Sequence, residues 1–465
     1  MKSIFLTLCI ISYLNWPAYA ATITAANCTL SEVQARVNSA VRTVDTVQVP
    51  ACAPTTWSGV LTISKGITLQ GAGMGVTNIT ATQASPVIRI SPDGTMYLNN
   101  ERLEISGFTL TNNNPSGGGD ICIIEAASNT SSVASQIVIH DITFNSNQTG
   151  STQPTAKALR IVGGIYGVAY HITVNGPYMI QTTGASNDGY SDWNAFSYAP
   201  GTFKSFVVED STWNVKPFSY NEGGQGGGAY TIRYTDINYA PTNNNAAQCA
   251  SFGGCNGNLF DVHGPQGAGG GQGIEMYGNH IFGNIDWNQS SEQRGGRGKV
   301  FFNKNTGSTT IFYNVEELHP TDSGFPAEKV VQSYYWNNYD NSTRQNVSCS
   351  GGCTFITENT DYFNQNPSYN GTSQRGIFVG ASLPAACTTL DGAWITSQTI
   401  GSAMTGMTGR DPSTPISGTL YRCSGGNSWA VFYTPYTYPH PLRGVTPPDT
   451  MPPAAPTNLR FAQKE

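Results

Sequence analysis

The sequence predicts an all-β chain folded as a parallel β-helix, a solenoid of short stacked strands, and three observations carry that expectation. Charged residues make up only 11% of the 465 positions while glycine alone occupies 52. Ordinary globular domains are about 25% charged, and exposed helices carry Lys and Glu on their wet face. A short pattern also recurs: two apolar residues one position apart, a small polar or Asn/Asp break, then another apolar residue. Each copy is too short to bury its apolar side chains alone, so the copies must lie on one another to form a core.

In chain order, "MKSIFLTLCIISYL" followed by "AYA" has the basic start, apolar run and small-residue cleavage pattern of an export signal over residues 1–20. Residues 21–56 form an N-terminal cap. Within it "TLSEVQARVNSAV" (29–41) reads as an amphipathic helix, with Thr29 and Glu32 spaced as a capping box and Val33, Val37 and Val41 on one face. Such a helix covers the open end of a solenoid, which otherwise offers unpaired backbone to other chains. Residues 57–345 form the solenoid itself. The repeat is seen in "GITLQGAG" (66–73), "RLEISGFTLTNNN" (102–114), "QIVIHDITFNSN" (136–147), "GVAYHITVNG" (167–176), "SFVVEDSTWN" (205–214), "YTIRYTDIN" (230–238), "GIEMYGNHIFGN" (273–284) and "KVFFNKNTG" (299–307). Its irregular period, roughly 15 to 40 residues, fits loops of variable length inserted between passes. The asparagines at the breaks are expected to stack amide on amide. An antiparallel sandwich would instead show Asn-Gly hairpins between alternating runs, and "YNG" (369–371) lies outside the repeats. Residues 346–443 form a cysteine-bearing region packed on the solenoid, and 444–465 a proline-rich tail.

The chain carries 23 lysines and arginines against 29 acidic residues, a formal charge of −6, with no basic cluster to neutralise phosphates, which excludes nucleic acid as a partner. Beyond the leader no apolar stretch reaches the ~18 residues of a membrane span. A capped solenoid predicts a monomer. Outside the leader nine of the ten cysteines remain, and in an exported chain their spacing offers the local pairs Cys28–Cys52, Cys249–Cys255, Cys349–Cys353 and Cys387–Cys423. Cys122, in the apolar run "ICII", is left as a buried free thiol.

The repeats, with "VQVPACAPTTWSGVLTISKGITLQGAG" near the start and "LYRCSGGNSWAVFYTPYTYPHPL" near the end, resemble secreted bacterial right-handed parallel β-helix proteins of the pectate-lyase-like superfamily over most of residues 40–443. The resemblance implies a right-handed solenoid in a secreted protein that acts on or binds polysaccharide. That superfamily includes polysaccharide lyases, glycoside hydrolases, pectin esterases, phage tailspikes and adhesins, so the fold does not fix the chemistry.

The charge-poor chain concentrates Asp261, His263, Glu275, Asp286, Glu292, Arg294, Arg297 and Lys299 between residues 258 and 300, beside Tyr277 and Trp287. Two-residue alternation puts Ile274 and Met276 inward and Glu275 and Tyr277 outward. With Val262 inward, Asp261 and His263 share the outward side. Successive passes lie about 4.8 Å apart, so outward groups on neighbouring passes come within reach of one sugar unit. The six glycines between Gly264 and Gly273 leave room for a close-approaching polymer, or form a surface loop. "RGGRG" (294–298) brings two guanidinium groups together, suited to carboxylates, or is a solvated turn.

These residues predict a lyase that cleaves an acidic, uronate-containing polysaccharide by β-elimination. The proton at C5 is removable only when a cation stabilises the developing enediolate, a role for Arg294 or Arg297. His263 is the base and Tyr277 the proton donor to the leaving oxygen, with Glu275 or Asp261 orienting the imidazole. Arg233 and Glu209 line the cleft one or two passes earlier, and Trp287 meets the substrate. Calcium is the one candidate cofactor: it takes the cation's role in some β-helix lyases, which would make the same carboxylates its ligands. The alternatives are a glycoside hydrolase using Asp261 and Glu275 and a non-catalytic, adhesin-like glycan binder. "VHG" is similar to the Gly-His-Gly of polygalacturonases, but their Asn-Thr-Asp and Arg-Ile-Lys motifs are missing. "RDPSTP" (410–415) departs from the Arg-x-Pro-x-x-Arg of pectate lyases by ending in proline. His140 and His171, at the same place in their repeats, read as scaffold, and His440 as packing in the C-terminal region. "GAGMG" (71–75) is a turn, since no helix follows it. The aromatic runs at 333–339 and 432–438 either pack on neighbouring strands or stack on sugar.

Overall fold

The computed structural model of the chain describes residues 20–83, 86–113, 121–127, 132–146, 156–176, 178–184, 198–215, 220–223, 226–239, 258–262, 271–283, 289–308, 311–317 and 329–444. These residues are all-β in long parallel sheets, an arrangement compatible with the expected solenoid. Each pass of the chain lays strands on three faces and pairs in parallel with the pass before it. Face 1 is a ten-stranded sheet running from Leu61–Ile63 to Val347–Gly351. Faces 2 and 3 belong to one 21-stranded sheet. The chain crosses from face 2 to face 3 through single residues in the left-handed region: Asp141 (φ 50°), His171 (49°), Asp210 (47°), Tyr234 (50°), Gly278 (66°), Phe302 (55°) and Asn337 (50°). Asp, Asn and Gly tolerate that backbone; bulky Tyr234 and Phe302 resist it. Both are held there by the apolar cluster beneath the C-terminal region.

The core is a set of inward rows. Ile105, Ile139, Ala169, Val208, Ile232, Met276, Val300 and Tyr335 are partners in consecutive passes, none more than 1% exposed. Each of the larger aliphatic side chains so buried stabilises the fold by about 1.5–3 kcal/mol. Two asparagine ladders accompany these rows, as the breaks in the repeat predict. Inside, Asn279 donates to Asn303 at 2.8 Å and Asn303 to Asn338 at 2.9 Å, while each also donates to a carbonyl of the previous pass. On the outer side of face 3, Asn175, Asn214 and Asn238 each donate to the asparagine one pass earlier, at 2.8, 2.7 and 3.0 Å. Each amide finds its partner in the next, which removes the cost of burying it.

The helix Leu30–Ser39 buries Val33 and Val37 at the start of the stack. It departs from the expected capping box: Thr29 is the N-cap but makes no side-chain cap bond, and Glu32 accepts from the Ala26 amide while pairing with Arg36 at 2.8 Å. The helix ends before Val41, which is 51% exposed. Parallel pairing begins at Thr22–Thr24 on Thr46–Val49 and extends to Tyr362–Asn364 on Ser333–Trp336. Because a backbone strand can join the ladder without an apolar repeat, the stack overlaps both segments that the sequence set apart, 21–56 and 346–443.

Cys28–Cys52, Cys349–Cys353 and Cys387–Cys423 are bonded, which points away from the reducing cytoplasm. Cys249, Cys255 and the Cys122 side chain lie outside the described residues, as do residues 1–19 and the tail from 445. Among the described residues no helix is long and apolar enough to cross a membrane.

The C-terminal region forms a four-stranded sheet, Ile377–Gly380, Gly392–Ile395, Thr419–Gly425 and Ser428–Tyr433. It lies on the outer surface of face 2 and makes a second core there. Tyr277, Phe301 and Trp336, outward partners in consecutive passes, stack with ring centroids 4.6 and 4.2 Å apart, and Trp394, Met407, Leu420 and Tyr433 close over them. Tyr334, Tyr335, Trp336 and Tyr433 of the two aromatic runs are thus packing residues, all buried.

Candidate active face

The expected site residues divide between two faces. Glu209, Arg233, Glu275 and Tyr277 point outward from face 2, as alternation requires, yet none is more than 1% exposed, because the C-terminal region seals that face. Arg233 donates to Glu209 at 2.7 Å, to the Tyr277 hydroxyl at 2.8 Å, and to the carbonyls of Tyr436 and Thr437 at 2.6 and 2.8 Å. Glu209 also accepts from the His440 amide and from Arg443, both at 2.9 Å. Burial works to raise the Glu209 pKa, but Arg233 and Arg443 hold it below the usual carboxylate range. Burial pushes the Tyr277 hydroxyl far above its ordinary range. It also raises Glu275, against bonds from Tyr433, the Gly201 amide and Thr231. These four residues fasten the C-terminal region to the stack. They do not line a cleft, so Tyr277 as proton donor and Glu275 as orienting carboxylate are corrected, and the pair Asp261 and Glu275 is parted between faces 1 and 2.

Asp261 and Arg294 are together on face 1. Arg294 holds both carboxylate oxygens, at 3.2 and 2.5 Å. Burial lowers the Arg294 pKa, but Asp261, then Glu292 and Glu316, raise it overall, so the guanidinium stays charged. Val262 ends the strand Asn258–Val262; His263 and Trp287 lie outside the described residues. Arg297 opens a face 2 strand and is exposed.

Asp261 belongs to a longer pattern. Arg89, Glu125, Arg160, Gln181, Glu222, Asp261, Glu292, Asn314 and Ser348 are register partners through consecutive passes of face 1. Glu125 pairs with Arg89 at 2.9 Å and with Arg160 at 2.7 Å, Gln181 donates to Glu222, and Ser348 donates to Asn314 at 3.1 Å. Three carboxylates, Glu222, Asp261 and Glu292, therefore occupy successive passes about 4.8 Å apart. The middle one is neutralised by Arg294, and Arg294 Nε lies 3.9 Å from Glu292. Sequence reasoning missed Glu222 as a site residue and gave Glu292 no role, since "NEGG" and "SEQRGG" lie in polar strands without apolar alternation. The signal was the shared spacing: in each, as in "DVHG", an acid precedes glycine by one to three positions.

Among the described residues His171, Asp210 and Asp411 are close enough together to suggest a metal site. The donor set does not fit a cation. Arg443 pairs with Asp210 and lies 3.4 Å from the His171 ring, and Tyr438 donates to both Asp210 oxygens at 2.9 Å. Calcium on the face 1 row fits no better, because Arg294 already occupies both oxygens of Asp261. His140 and His171 are not equivalent: His140 pairs in register with Tyr170, which places His171 one position later, at the left-handed crossing. His140 is lodged between Glu104 at 3.0 Å and Asp141 at 2.7 Å, and His440 is buried in the C-terminal region.

No family of known proteins matches the chain, and no curated protein does.

Proposed function

We propose that the chain is a secreted, right-handed parallel β-helix enzyme of the pectate-lyase-like type that cleaves a glycan lying along face 1. Its helix Leu30–Ser39 caps the stack and its disulfide-bearing C-terminal region seals face 2. The right hand follows from the near-universal hand of parallel crossovers. The observation that carries the functional reading is the face 1 row, in which Glu222 and Glu292 flank the Asp261–Arg294 ion pair. An extended polymer running along the stack meets one such side chain per pass.

Hydrolysis suits this row best. Glu222 and Glu292, two passes apart, stand about 9.6 Å from each other at the backbone, close to the ~6.5–9.5 Å that lets one carboxyl protonate the glycosidic oxygen while the other activates water on the opposite face. Asp261, buried against Arg294, keeps that guanidinium between them. One observation bears on β-elimination of a uronate polymer instead: Arg294 is held on face 1 against Asp261, so that face supplies a guanidinium to stabilise an enediolate without need of Tyr277 or Glu275, with His263 as the proposed base.

Incubation with a panel of neutral and uronic-acid polymers separates the readings. New reducing ends without ultraviolet absorbance, abolished by Glu222→Gln or Glu292→Gln, support hydrolysis. Absorbance from a conjugated double bond, abolished by Arg294→Met or His263→Ala, supports elimination. Binding with neither product overturns the enzymatic reading in favour of a glycan-binding solenoid.

A further inference from the structure

The last passes of the stack and the loop leading into the C-terminal sheet leave an open cleft of about 450 Å³, walled in part by Arg344, Asn346, Glu358, Asn359, Gln365 and Gln374. Its size falls within the roughly 300–1,000 Å³ of clefts that hold small ligands. Nε of Arg344 and Oδ1 of Asn359 are both shut off from solvent, and neither has a hydrogen-bond partner among the described residues. Those two atoms are too enclosed for a ligand to touch, but Arg344 itself is only half-buried in the wall, and its guanidinium forms no hydrogen bond or ion pair among the described residues. The one carboxylate in the wall, Glu358, accepts from Asn364 at 2.9 Å and forms no ion pair with Arg344 among the described residues.

The wall is built in advance. Arg344 lies in the strand Thr343–Gln345, paired antiparallel with Asn338–Asp340. The Asn366 amide donates to the Arg375 carbonyl at 2.9 Å, and the Asn370 side chain accepts from the amides of Thr372 and Gln374 at 3.0 and 2.7 Å.

We infer that this cleft is a saccharide-binding site separate from face 1, and that it takes a short sugar bearing a carboxylate. The guanidinium of Arg344 meets the carboxylate in a planar fork. The side-chain amides of Asn346, Gln365 and Gln374 offer donors and acceptors to the hydroxyls. This wall of amides and guanidinium has little to give an apolar ligand. A second grip on the same polymer would raise its local concentration at face 1, but the site stands on its own chemistry whether or not face 1 cleaves.

Calorimetric titration of the full-length protein with trigalacturonate and with neutral galactotriose tests it, alongside Arg344→Met, Gln374→Ala and Glu222→Gln. The expected result is acidic-sugar binding that Arg344→Met weakens about tenfold or more, that Gln374→Ala also weakens, and that Glu222→Gln leaves in place, with the neutral sugar much weaker. The unfolding temperature of Arg344→Met should match the parent, since Arg344 Nε has no protein partner to lose. Equal binding by the parent and Arg344→Met, loss of all binding in Glu222→Gln, or no binding of either sugar at millimolar concentration overturns the inference.

Discussion

Glu209 and Arg233, partners in consecutive passes of face 2, form an ion pair at 2.6 Å in which neither side chain is exposed. Such a pair is stable only when its remaining bonding capacity is filled, and here Tyr436, Thr437, His440 and Arg443 fill it. Arg233→Met leaves Glu209 buried with a single cation, and removing one partner of a buried pair typically costs about 3–5 kcal/mol. Urea unfolding followed by tryptophan fluorescence should show that loss. A change below about 1 kcal/mol, the size of a surface pair, would mean that the pair does not fasten the C-terminal region.

Lys299 gives the protein a pH dependence. It is 1% exposed, and burial, reinforced by Arg297 and Arg422 and partly offset by Glu275, brings its pKa down to about 7. Between about pH 7 and 10.5 the unfolded lysine holds a proton that the folded one lacks. Stability from this group is therefore full above the unfolded value and is lost as pH falls toward the folded one, at up to about 1.4 kcal/mol per pH unit. Lys299→Met should flatten the rise in unfolding free energy between pH 7.5 and pH 9.5 measured at fixed salt. A parallel slope in parent and variant would rule out a neutral buried lysine.

The inner asparagine ladder should matter more than the outer one. Asn303 accepts from Asn279 and donates to Asn338 and to the Met276 carbonyl, fully buried, so Asn303→Ala strands partners away from water at a cost of about 1–3 kcal/mol or more. Asn175 is half-buried on face 3, where water replaces a lost partner, and Asn175→Ala should cost under about 1 kcal/mol. Thermal unfolding of the two variants checks the order.

For activity, Glu222→Gln is expected to lower turnover about 10²- to 10⁴-fold, the contribution of a general acid or base, with the unfolding temperature unchanged. Glu275→Gln, on the sealed face, should retain turnover in any molecule that folds. The opposite pattern in steady-state rates would move the site to face 2.

Much of this was legible in the sequence, and the exceptions have physical causes. Alternation in "GIEMYGN" correctly sent Ile274 and Met276 inward and Glu275 and Tyr277 outward, and local spacing found the cysteine pairs 28–52, 349–353 and 387–423. Alternation says nothing about which outward side stays wet. The hydroxyl that covers Glu275 comes from Tyr433, 158 residues later, and no periodicity links a strand to a segment that distant. Nor does a period of two survive a change of face: between Asn258–Val262 and Gly273–Tyr277 the chain passes from face 1 to face 2, so Asp261 and Glu275 part company. The left-handed residues Tyr234 and Phe302 were hidden because local preference puts Gly or Asn at such positions, and here distant packing overrides it.

The order in which the chain is synthesised gives the C-terminal clamp a further meaning. Passes can stack as they leave the ribosome, but Glu209 must wait for Arg443, 234 residues later. Until then the aromatic and charged rows of face 2 stand uncovered, an adhesive flank on a half-made protein. The growing chain is therefore most vulnerable to aggregation late in translation, when the stack is nearly complete and the segment that would shield it is still inside the exit tunnel.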